Sequence, residues 1–219
     1  MDAREISRLG ERHVMVRDQL EKRGIHNPWV LQAMLDIPRH FFLPESQQGK
    51  AYDDGPLPIG GGQTISQPYI VASMIELIEP DPSHRVLEVG VGSGYSIAVL
   101  RRIVKEVHGI ERDPALLDQA QARLKQLNLG EVHLKVGDGT LGWPEAAPFD
   151  SILVAAGAPK VPTTLLAQLK PGGSLVIPVG GRDEQELLRV HKNAQGHIQE
   201  KVLYTVRFVP LVGAEGWPD

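Results

Sequence analysis

The chain has no cysteine. Disulfides, thiolate nucleophiles and sulfur-ligated metal centres are therefore excluded. It has no run of basic residues, and its net charge is −4. That argues against nucleic acid as the main partner, because phosphate neutralisation needs clustered Lys and Arg. No apolar stretch approaches membrane length. Charges scattered through the first twenty residues speak against a signal peptide. A cytoplasmic protein is expected. There is no internal repeat, and no linker long enough to split domains. What remains is a chain of 219 residues, 42% hydrophobic and 23% charged, enough for one sizeable core. Its 23 glycines and 17 prolines predict many sharp turns.

The most informative stretch is R-V-L-E-V-G-V-G-S-G-Y-S-I-A-V-L-R-R-I-V-K-E-V-H-G-I-E-R-D, residues 85–113. It reads as strand 85–89, a glycine turn at Gly90, Gly92 and Gly94, a helix, and a second strand ending in Glu111. That is a βαβ unit with a nucleotide-type turn. An acid some twenty residues beyond the first glycine is placed to bind a ribose. The spacing is G-x-G-x-G, not that of a pyrophosphate loop, and no Lys-Ser/Thr follows. Glu88, two residues before the turn, would be unwelcome beside a pyrophosphate and welcome beside a cationic tail. A ribose-bearing, positively charged, phosphate-free ligand such as S-adenosylmethionine fits best. An ordinary strand–turn–helix with solvated acids is the competing reading.

Along the chain, residues 4–23 predict a helix with Ile6, Leu9, His13, Val16 and Leu20 on one face, stopped at Gly24. His13 reads as a packed histidine. Asn27-Pro28 opens a second helix, with Val30, Leu31, Met34 and Leu35 on its apolar face. Residues 1–50 are expected to form a helical extension lying on the main domain. Residues 52–66 show no periodicity and read as a long functional or mobile loop. A helix follows over 67–78, and sequence logic makes Ser66 its N-cap before anything else. Asp113-Pro114 caps another helix. Strands are expected at 132–136, 149–154 and 174–179, with a helix over 161–169 and a turn at Lys170-Pro171-Gly172-Gly173. Asp138, at a strand's carboxyl end, could accept from an adenine amine or simply fix a turn. Strands 186–191 and 201–209 are expected as an antiparallel pair at the sheet edge. The alternation predicts an α/β, Rossmann-like, doubly wound, mostly parallel sheet with antiparallel edge strands. Such sheets bind ligands beyond the strands' carboxyl ends, where Glu88, Gly90, Glu111, Asp138 and Ala155 converge.

Four segments together resemble the protein-L-isoaspartate O-methyltransferase family. They are 56–68 with G-Q-T-I-S-Q-P, 86–95 with V-L-E-V-G-V-G-S-G-Y, the G-D-G at 137–139, and the region from L-K-P-G-G to F-V-P-L at 208–211. The G-Q-T-I-S-Q-P block is the most specific. Glu88 stands where some members have Asp, and Tyr69 where animal members have His. The resemblance implies methyl transfer from S-adenosylmethionine to the α-carboxyl of L-isoaspartyl residues in damaged proteins, yielding S-adenosyl-L-homocysteine. The ester then closes to a succinimide that hydrolyses in part to aspartate. Ser66 would be the catalytic residue, as a positioning donor. The cofactor would be held by Gln63, Thr64, Ile65, Ser66, Glu88, Gly90, Gly92, Gly94, Glu111, Asp138 and Gly139. The substrate would meet Ser66, Val154, Ala155, Val209, Pro210 and Leu211. No metal is expected. One methyltransferase domain over 1–219, acting as a monomer, completes the expectation. A methyltransferase for another acceptor, a nicotinamide oxidoreductase and a non-catalytic cofactor-binding module remain open at this point.

Overall fold

The computed structural model describes residues 8–218. Its centre is a seven-stranded sheet. The strands are β3 (Arg85–Val89), β4 (Glu106–Glu111), β5 (His133–Val136), β6 (Phe149–Val154), β7 (Leu169–Gly180), β8 (Gln185–Lys192) and β9 (Ile198–Val206). The order is β5-β4-β3-β6-β7-β8-β9. The first five strands in that order run parallel, and β8 and β9 add antiparallel pairings at one edge. The expected doubly wound architecture is therefore present. The chain builds outward from β3 to β5, then crosses back to β6, so the order reverses between β3 and β6. Val89 and Val154 face each other there, at the carboxyl ends. A crevice opens at such a reversal because the loops leaving the two strands turn away from each other.

Helices cover both faces. α4 (Pro68–Leu77), α5 (Tyr95–Ile103) and α6 (Pro114–Gln126) follow their sequence signals closely. Asp113 caps α6, accepting from Ala115 N at 2.8 Å. Asn27 caps α2 (Pro28–Asp36) through Trp29 N and Val30 N, well before the single-turn α3 (Glu45–Gln48). Between them these caps satisfy amides that no helical carbonyl can reach.

The N-terminal segment differs from its predicted stripe. It forms α1 (Leu9–Val14), continues as a π-helical stretch over Met15–Leu20 and ends in a 3₁₀ turn at Gly24. Ile6 lies outside the described residues. Leu9 and His13 are exposed, and the buried face is Arg12, Met15, Val16 and Leu20. His13 is thus no packed histidine; its Nδ1 lies 2.8 Å from its own helix's Leu9 carbonyl. The physical reason is Arg12. Its guanidinium donates to the Leu35 and Asp36 carbonyls at the end of α2, 2.9 Å each, a favourable partner for a helix C-terminus. Met15, Leu20, Met34 and Phe42 then enter the same core as α5, with Phe42 edge-on to Tyr95 at 5.5 Å.

Three further expectations are corrected. Residues 52–66 are no structureless loop: β1 (Leu57–Gly60) and β2 (Gln63–Ile65) form an antiparallel hairpin, pairing Leu57 with Ile65. The short alternation of Leu57, Ile59 and Ile65 toward the core was hidden by the surrounding glycine and proline. The K-P-G-G segment is a bulge within β7, since Leu169 already pairs with Phe149 and Ser174 with Ser151. The helix before it, α7, is accordingly shorter, Thr163–Gln168. Finally, β9 ends at Val206, which frees the next residues to leave the sheet.

Candidate active site

At the reversal point lies a cleft of about 820 Å³ of empty space including its mouth. Three elements build it. The turn after β3 supplies Gly90 and Gly92, the end of β4 supplies Glu111, and hairpin strand β2 with its following residue supplies Gln63, Thr64, Ile65 and Ser66. Gly139, Ala155 and the segment Val209-Pro210-Leu211 complete the wall. That last segment reaches the cleft because it pairs with residues beyond β6: Gly157 N donates to the Val209 carbonyl and Leu211 N to the Gly157 carbonyl, 2.8 Å each.

Glu88 lines the cleft and is 1% exposed. Neither carboxylate oxygen has a partner in hydrogen-bonding geometry. Burial pushes its pKa up to about 8; the Ser96 hydroxyl, on the same wall, opposes this, and the Glu111 charge adds to it. A buried acceptor left bare is costly unless a ligand supplies the donor. Glu111 is 8% exposed and already accepts two amides, Gly92 N at 2.9 Å and Asp113 N at 3.0 Å. It thereby ties the glycine turn to the end of β4. Each of its oxygens keeps a second lone pair for a hydroxyl. A bare acid, an acid with spare acceptors and a wall of glycine backbone suit a ligand with a cationic tail and a ribose.

A second cleft, about 750 Å³ including open space, lies against the first. It shares Thr64, Ser66, Ala155 and Val209 with it, and adds Gln67, Ile70 and the end of β9 with the residues after it. Ser66 stands on the shared wall. It does not cap α4: the N-cap is Gln67, and no side chain caps that end. The sequence-level reading of Ser66 as a cap therefore fails, and its hydroxyl is left for the clefts. Among the described residues no histidine lines either cleft.

Three expected site residues line neither cleft. Gly94 starts α5 with φ +89°, and a Cβ there would stand 3.0 Å from the Ala120 Cβ, so it serves helix packing. Val154 is fully buried at the end of β6. Asp138 turns away into the fold. Its Oδ1 accepts from Thr140 N (2.8 Å) and Thr140 Oγ1 (2.7 Å), and its Oδ2 accepts from Ala214 N (2.7 Å). Although burial raises its pKa, these bonds and the Arg112 charge leave it below the usual carboxylate range. Beside it, Gly139 has no room for a side chain, since a Cβ would run into Val89 Cγ1. Ser93, Ser96, Arg112 and Val212 line the first cleft and Arg207 the second, none of them singled out by sequence. Ser93 lies inside the glycine turn, Ser96 two residues past it, and Arg207 one residue short of the Val-Pro-Leu segment, so position was the available signal.

At the opposite, amino end of the sheet, Glu106, His108 and His133 bring potential ligand atoms within 4.8 Å of one another. Glu106 is already engaged there by His108 Nε2 at 2.8 Å and Arg85 Nε at 3.0 Å. The two imidazoles stack, ring centres 4.6 Å apart.

Residues 11–216 match the family model described as protein-L-isoaspartate(D-aspartate) O-methyltransferase. A protein-L-isoaspartate O-methyltransferase of Pelotomaculum thermopropionicum is 59% identical, over 97% of this chain and 93% of that protein. One of Trichlorobacter lovleyi is 54% identical, over 93% and 94%. A solved structure of that enzyme name superposes with a TM-score of 0.85 at 31% identity, covering 94% of this chain and 67% of the other. A Plasmodium falciparum structure, given the same enzyme name and in complex with S-adenosyl-L-homocysteine, superposes at 0.79 with 27% identity, covering 92% and 98%. The chain belongs to the protein-L-isoaspartate(D-aspartate) O-methyltransferase family.

Proposed function

We infer that this chain transfers the methyl group of S-adenosylmethionine to the α-carboxyl of L-isoaspartyl residues in damaged proteins. The resulting ester closes to a succinimide, which hydrolyses in part to aspartate. The observation that carries this reading is the buried Glu88, with no partner in hydrogen-bonding geometry among the described residues, in a cleft that meets a second cleft at Ser66. The first cleft suits the donor and the second suits the peptide.

S-adenosylmethionine supplies an activated methyl group on a positively charged sulfur. Glu88 would meet its cationic tail, Glu111 its ribose, and the backbone of Gly90, Gly92 and Gly139 would lie along it. Gln63, Thr64 and Ile65 close the cleft from the hairpin. Asp138 would act indirectly, by holding the turn at Gly139 and the segment around Ala214. Gly94 would support the turn as a helix start.

The acceptor needs no general base. A carboxyl group with a reference pKa near ~3.9 is ionised at neutral pH. The absence of histidine from both linings is consistent with that. The chain's task is orientation, which can contribute roughly 7–11 kcal/mol. Ser66 would donate to one carboxylate oxygen and set its direction, without holding the ground state so tightly that reaction slows. Ala155 and Val209, common to both clefts, would flank the acceptor where it meets the donor. Charge is annihilated during transfer, so excluding water favours reaction.

We propose also that residues 1–219 work as one methyltransferase unit, with residues 1–50 as a helical cover, and that a monomer suffices. Among the described residues no helix is long and apolar enough to cross a membrane. A cytoplasmic enzyme acting on proteins and not on nucleic acid fits the net charge of −4. The decisive assay supplies labelled donor with an isoaspartyl peptide and with its normal aspartyl twin. Methylation of the first alone is expected; equal methylation of both, or of neither, overturns the reading.

A further inference from the structure

Among the described residues Arg207 is the one charged residue lining the second cleft. It is exposed, and its guanidinium has no hydrogen-bond or ion-pair partner among the described residues. Its backbone is held on both sides. Val206 is buried, and Phe208 N donates to the Gln185 side-chain oxygen at 2.8 Å. The side chain is thus left exposed at the cleft's edge. The contrast with Arg23 is instructive. Arg23 lies over the Tyr69 ring at 3.9 Å and is neutralised by both oxygens of Asp54, 3.0 Å each.

We propose that Arg207 is a specificity-determining residue that recruits anionic acceptor segments: the isoaspartyl carboxylate together with acidic residues beside it. This rests on the methyl-transfer reading above. An exposed, solvated cation acts at a distance on charge and steers encounter. It binds too weakly to blunt a nucleophilic oxygen, as a buried clamp on the carboxylate would. The acceptor enters as an anion and leaves as a neutral ester. A cation at the mouth thus favours substrate over product. Its effect belongs in KM and in salt dependence, not in the chemical step.

The test compares wild type, Arg207→Gln and Arg207→Lys on two isoaspartyl peptides that differ only in flanks, one acidic and one lysine-rich. Wild type is expected to prefer the acidic peptide. Arg207→Gln should raise KM for that peptide about threefold to fivefold, the scale of an exposed ion pair, with kcat and the cofactor Kd unchanged. Arg207→Lys should restore most of the preference. At about 0.5 M salt the wild-type preference should collapse toward that of Arg207→Gln. Thermal melting of the variants checks that they fold. An identical acidic-to-lysine KM ratio in wild type and Arg207→Gln, with the wild type active, overturns this inference alone. A wild type inactive on both isoaspartyl peptides overturns the reading beneath it.

Discussion

Burial holds the Glu88 carboxyl protonated up to a pH of about 8, well above its ordinary 4.5. Two consequences follow from the same shift. Between those two pH values the folded, ligand-free protein binds a proton that the unfolded chain has lost. Its stability therefore falls as pH rises through that window, and Glu88→Gln should flatten this dependence in urea titrations. A cationic cofactor needs the ionised acid, so its binding below pH 8 should expel a proton and tighten as pH rises. Calorimetry in two buffers of different ionisation enthalpy reads this directly. Equal apparent enthalpies would contradict it, and Glu88→Gln should bind more weakly with no proton released. Ser66 makes a separate prediction. Since it caps nothing, Ser66→Ala should leave the melting temperature and cofactor affinity alone, whereas losing a true cap costs about 1 kcal/mol. Turnover should drop about a hundredfold if the hydroxyl sets the carboxylate's direction. Unchanged turnover would remove Ser66 from the mechanism.

Elements with strong local punctuation follow the sequence closely. Asn27-Pro28 and Asp113-Pro114 mark helix starts that the structure reproduces, because cap and proline act within one turn. The hairpin of β1 and β2 was not legible, because its strands are four and three residues long and the pattern of two needs more length to stand out. The N-terminal helix was legible as a helix but not in its facing. Its buried side is set by where Arg12 meets the end of α2, a contact between segments 23 and 24 positions apart. The glycine turn shows the same division. Its three glycines read alike in sequence, yet Gly90 and Gly92 line the cleft while Gly94 serves the approach of α5 to α6. Gly94→Ala should therefore cost about 1–3 kcal/mol of stability, from its left-handed backbone and the tight contact at Ala120. Denaturant unfolding would measure it, and a neutral result would mean the helix pair can shift to make room.

The N-terminal cover and the sheet domain share one core. Met15, Leu20 and Phe42 lie in the same buried cluster as Tyr95, Leu100 and Val107. Phe42→Ala should thus cost about 3–5 kcal/mol and lower the melting point of the whole chain in a single transition. A separate early transition, with cofactor binding retained through it, would show the cover to be an independent unit. Hydrophobic alternation, glycine and proline placement, and the G-Q-T-I-S-Q-P block were enough to imply a doubly wound sheet, a phosphate-free cofactor and the family. Those signals are local, carried by spacing within one element or one loop. The order of strands, the meeting of two clefts at Ser66, the baring of Glu88 and the turning inward of Asp138 were not encoded at any single spacing. Each depends on which distant segment arrives opposite: Ala214 for Asp138, the hairpin for Ser66, and for Glu88 a wall whose Ser96 hydroxyl stops short of hydrogen-bonding geometry. Long-range packing assigns those partners, so only the folded chain could say which acids are spent on structure and which are left for a ligand.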